Sequence, residues 1–62
     1  MNIRSLRLLV VEDQAVQREV AVGMLKSIGV SRVAEAHDGG AALASLRDPA
    51  KAPDIILCDL RT

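Results

Sequence analysis

The chain has 62 residues, eight basic and eight acidic side chains, no aromatic residue and a single cysteine. One small domain is the most this length allows, and Ala, Val, Leu and Ile must do all the packing. The counts exclude an internal disulfide framework and a Cys/His zinc cluster, and the zero net charge without a basic run argues against nucleic-acid binding. With no apolar stretch of membrane-spanning length and no signal-peptide layout, the expectation is a soluble, cytoplasmic, reduced protein with no membrane partner.

In chain order, Leu8, Leu9, Val10 and Val11, extended upstream by Leu6, form a short continuous apolar run. Such a run predicts a strand buried on both faces, as in a parallel sheet. It stops at Glu12 and Asp13, and from about Gln14 the period becomes helical. Val16, Val20, Met24 and Ile28 recur every four residues, with Ala21 and Leu25 widening the stripe. Asp13 is placed to cap this helix and Gly29 to end it. Gly23 inside it costs about 1 kcal/mol relative to Ala, and close packing and simple tolerance are both open as reasons.

Val30 to Ala36 is a second strand, and its mixed polarity suits a sheet edge. Asp38, Gly39 and Gly40 predict a turn, followed by a helix from Ala41 to Arg47 with Ala42, Leu43 and Leu46 on one face. Residues 48–53 contain two prolines and read as a loop. Asp54 marks the start of a third strand, Ile55-Ile56-Leu57-Cys58, which ends at Asp59. Cys58 reads as a small buried hydrophobe and His37 as an ordinary loop histidine.

The order β-α-β-α-β predicts an α/β unit with a three-stranded parallel sheet. Right-handed crossovers and an edge-like second strand give the order 2-1-3, with the two helices on opposite faces. Strands 1 and 3 then flank a topological switch point, where ligands of open α/β sheets bind beyond the carboxyl ends of the strands. Glu12 and Asp13 end strand 1 and Asp59 ends strand 3. Neighbouring strands lie about 4.8 Å apart, so these acids can converge on one ion. Like charges brought together repel, and a hard divalent cation resolves the conflict. Mg²⁺ accepts a few carboxylate oxygens while keeping room for a phosphate oxygen. A carboxylate beside it can act as a nucleophile toward phosphorus.

Leu8-Leu9-Val10-Val11-Glu12-Asp13, Arg18, Gly29, Glu35-Ala36, Asp38-Gly39, Ala42-Leu43 and Asp54-Ile55-Ile56-Leu57-Cys58-Asp59 resemble, in order, the receiver domain of two-component response regulators. The resemblance implies a flavodoxin-like fold of which residues 1–62 form the first half, truncated after the third strand. It implies that Asp59 is the phospho-acceptor, that Glu12, Asp13 and Asp59 hold Mg²⁺, and that the backbone carbonyl of Arg61 completes the protein ligands. The implied donor is a phosphohistidine on a sensor histidine kinase or a histidine phosphotransfer protein, and the module is no enzyme in its own right. The hydroxyl residue and lysine that end the family's fourth and fifth strands have no counterpart here, and Thr62 takes a position where the family often has Met.

Two other functions compete with this reading. An aspartyl phosphatase usually carries a second acid two residues after its nucleophile, and Arg61 stands there. A half-receiver defective in phosphotransfer would act mainly through self-association, since an open apolar third strand templates pairing with another chain. That expectation is a homo-oligomer through the strand 3 edge.

Overall fold

In a computed structural model of the chain, residues 2–59 are described, Asp59 by its backbone alone. A short 3₁₀ turn over Ile3–Ser5 leads into β1 (Arg7–Glu12), α1 (Ala15–Ser27), β2 (Arg32–Ala36), α2 (Gly39–Leu46), a second 3₁₀ turn over Pro49–Lys51 and β3 (Ile55–Asp59). The strands form one parallel sheet in the order β2-β1-β3. This is the α/β unit and the strand order expected from the polarity pattern, with the mixed-polarity β2 at an edge.

The register is unbroken. Leu8 lies opposite Val33 and Ile55, Val10 opposite Glu35 and Leu57, and Val11 opposite Ala36 and Cys58. Because side chains alternate along a strand, Leu9, Val11 and Ala36 share one face, where Ala41 and Ala42 of α2 pack against them. Glu35, one residue before Ala36, points to the other face and meets Arg18 of α1. The helices therefore cover opposite faces, as right-handed crossovers require. Leu8 to Val11 are all buried, and with Val22, Val30 and Ala36 they make up the apolar core among the described residues.

Several local expectations are corrected. Asp13 does not cap α1: the helix begins at Ala15, Gln14 takes the capping position without a side-chain bond, and the carboxylate of Glu12 accepts the Gln14 N–H at 3.1 Å. The row Val16, Val20, Met24 and Ile28 does not face the sheet, and Val16 is 72% exposed. The side of α1 against the sheet is instead Arg18, Ala21, Val22 and Leu25. Gly39 and Gly40 belong to the first turn of α2, not to a turn before it, because Asp38 caps the helix by accepting the Ala41 N–H at 2.8 Å. Residues 48–53 are not plain loop, since Pro49–Lys51 form a 3₁₀ turn that Asp48 caps.

At β3 the departure is larger. Both helices rest on β1 and β2, so Ile55, Ile56 and Leu57 stay 43–44% exposed and Cys58 is exposed rather than buried. Asp54 does more than open this strand. It donates its N–H to the Arg7 carbonyl at 2.7 Å while its carboxylate accepts the Arg7 N–H at 2.9 Å, which locks the start of β3 to the start of β1.

Candidate functional site

The carboxyl ends of β1 and β3 lie side by side, and the last register pair between them is Glu12 and Asp59. This is the crevice beyond the strand ends at which open α/β sheets bind ligands. Glu12 is 4% exposed, the only buried charged residue among those described. A carboxylate is costly to bury unless its oxygens are engaged. One of them accepts the Gln14 N–H, one of the donors left without a partner at the start of α1. The strand end and the helix start thus hold the Glu12 side chain between them. Asp13, the next residue, is exposed at the mouth of the crevice.

Arg18 is the residue that the reading of the sequence under-used, entering it only as one element of a family resemblance. Its Nη1 donates to the Glu12 carbonyl at 2.9 Å and its Nε lies 3.4 Å from Glu35 Oε1. One guanidinium therefore ties the end of β1 to β2 and to α1, fixing the backbone from which Glu12 projects. A signal for it existed: Arg18 falls in phase with Ala21, Val22 and Leu25, which makes it the charge on an otherwise apolar helix side.

Of the sequence-derived site, the structure places Glu12, Asp13 and the backbone of Asp59 at one end of the sheet. The Asp59 side chain, the Arg61 carbonyl and Thr62 lie outside the described residues. Among the described residues no three His, Cys, Asp or Glu side chains come together as a metal cluster. The donor chemistry nevertheless fits a hard cation: the charged side chains described at this end, Glu12 and Asp13, are both carboxylates. His37 is not part of the site, and its exposed ring pairs with its neighbour Asp38 at 3.1 Å. An open groove of about 460 Å³ starts beside Glu12 and runs between α1 and the uncovered β3, lined by Val10, Gln17, Val20, Met24 and Leu57 among others. No family model, no curated protein and no solved structure matches the chain.

Proposed function

We propose that the chain is a phospho-accepting receiver module of two-component signalling that takes a phosphoryl group from a phosphohistidine onto Asp59. The observation that carries this reading is the register pair Glu12–Asp59, which sets two acidic positions side by side at the topological switch point of a parallel sheet. Glu12, Asp13 and Asp59, with the Arg61 carbonyl, would hold Mg²⁺, whose contribution when bound is to neutralise charge on the transferring group. In the step itself a carboxylate oxygen of Asp59 forms a bond to phosphorus as the bond from phosphorus to the donor imidazole breaks, and the electron pair leaves with the imidazole. Glu12, seated between the strand end and the helix start, keeps its place without waiting for the donor to arrive. A kinase or histidine phosphotransfer protein as donor brings with it a cytoplasmic setting, where Cys58 remains a thiol.

The test is intact-mass spectrometry of the chain before and after Mg²⁺ and acetyl phosphate, with Asp59→Asn in parallel. The expected result is a phosphoryl adduct on the unsubstituted chain, dependent on Mg²⁺ and absent from the variant. An unsubstituted chain that gains no mass, or a variant that gains it equally, overturns the assignment of Asp59.

A second reading is favoured by a different observation, the exposure of Ile55, Ile56 and Leu57 on both faces of β3. In it the acids are inherited, phosphotransfer is lost and the chain works through association. The same experiment separates the two, since this reading expects no adduct.

A further inference from the structure

The side of α1 turned away from the sheet presents Val16, Val20, Gly23 and Ser27, and Val20 and Met24 line the groove over β3. We propose that this surface binds a second copy of the chain, the two α1 helices crossing antiparallel at Gly23 about a two-fold axis, each beside the other's groove.

The case begins with Gly23. A glycine inside a helix costs about 1 kcal/mol relative to alanine, so a compensating close approach is a reason to look for one. Among the described residues there is none, because a Cβ at Gly23 would meet nothing within 4 Å. Ser27, one turn later on the same side, is the other small residue, and its hydroxyl donates to the Met24 carbonyl at 2.7 Å, so it brings no unpaired polar group to a contact. Around them stand Val16, Val20 and Met24, all exposed. Small residues flanked by larger apolar ones let a second helix backbone come close while side chains interlock beside it.

Charge fixes the direction of the partner. Glu19 and Lys26 lie on the same rim of this surface, one on each side of Gly23, and among the described residues neither has an ion-pair partner. In an antiparallel pair crossing at Gly23, Glu19 of each copy faces Lys26 of the other, and the contact is made twice. A parallel two-fold pair puts the two charged rims on opposite sides of the contact, so neither Glu19 nor Lys26 gains a partner. The chain's net charge is zero, so no long-range repulsion opposes two copies meeting.

Spacing decides between this contact and pairing along the free edge of β3. With α1 resting on β1 and β2, edge pairing of two β3 strands would hold the two α1 helices about 19 Å apart, four strand spacings of about 4.8 Å. Packed helices need 8–10 Å, so edge pairing leaves both apolar sides of α1 in water. The helix crossing covers them. A standard interface takes about 800 Å² from each partner, which is under a fifth of the 4352 Å² of this chain.

Sedimentation velocity across a concentration series tests the proposal, using the whole chain with Gly23→Ala, Val20→Glu, Lys26→Glu and the double swap Glu19→Lys/Lys26→Glu. The unsubstituted chain is expected to dimerise. Gly23→Ala and Val20→Glu should weaken the dimer by at least about ten-fold, Lys26→Glu should weaken it less, and the double swap should restore it. Both Gly23 and Val20 are exposed in the single chain, so circular dichroism should show the fold intact. A monomer at all concentrations overturns the proposal and leaves the surface to a different partner. A dimer indifferent to Gly23→Ala and Val20→Glu also overturns it and points to the β3 edge. A double swap no better than Lys26→Glu removes the antiparallel crossing.

Discussion

Gly29 and Gly23 show how differently one residue type can matter in a single helix. Gly29 has φ of 108°, the one positive φ among the described residues. Its N–H bonds the Lys26 carbonyl at 3.1 Å and the Val30 N–H bonds the Leu25 carbonyl at 3.1 Å, the paired bonds that close a helix through a left-handed residue. A Cβ there would lie an ordinary 3.6 Å from Ile3, so the cost of a side chain is in the backbone and not in a clash. Gly29→Ala should therefore lower stability by about 1–2 kcal/mol in urea unfolding, with Gly29→Asn losing less. An alanine variant as stable as the parent would show that the chain turns here by another route. This position was legible in the sequence because the signal is local: a glycine directly after an apolar helical period. The partners of Asp54 and Arg18 were not, because they sit on other elements, Arg7 for the one and Glu12 and Glu35 for the other. Periodicity carries no trace of such partners until the strand register is known.

At the scale of the element, the two helices misled in opposite ways. In α2 the pair Gly39-Gly40 gave a turn signal strong enough to push the helix start downstream. The capping carboxylate of Asp38 overrides it, supplying an acceptor to the Ala41 N–H. With 8 residues, α2 falls short of the roughly 12–15 that an isolated helix needs to be even marginal, so its cap and its contact with the sheet must both hold. Asp38→Ala should cost about 1 kcal/mol, read as a lower urea midpoint at unchanged slope, and Asp38→Ser should recover most of it. If alanine proves neutral, the start of α2 is held by its packing on Leu9 and Val11 and not by the cap.

The error in α1 has another origin. A strict repeat of four residues drifts around a helix of 3.6 residues per turn, and the apolar arc it sketches is wider than one sheet can cover. Part of the stripe, Ala21 and Leu25, meets the sheet together with Val22, which the repeat left out, while the most regular row stays exposed. Regularity in the pattern therefore marked the unpartnered side. The strand-end positions of Glu12 and Asp59 were more legible than the helices, since strand ends follow from where an apolar run stops.

For the whole molecule, stability rests on one strand. Among the described residues, Leu8, Leu9, Val10 and Val11 are four of the seven buried apolar ones, and Leu9 and Val11 are the largest side chains buried completely. Folded domains are stable by about 0.05–0.15 kcal/mol per residue, which sets a margin of roughly 3–9 kcal/mol for a chain of this size. Truncating a buried leucine costs about 2–5 kcal/mol, a large part of that margin. The other side of the balance is the apolar surface of β3 and α1 left in water. If association supplies that cover, the folded state is linked to concentration by mass action, and binding at a hundred times Kd adds about 2.7 kcal/mol. The thermal midpoint of the unsubstituted chain should then rise steadily with protein concentration. In Leu9→Ala the folded fraction should be recovered only at the high end of the same series. Val20→Glu should flatten the concentration dependence without lowering the dilute midpoint, because Val20 is exposed in the single chain. A midpoint independent of concentration would mean that the seven buried apolar residues suffice by themselves, and that exposure of β3 is a cost the monomer bears.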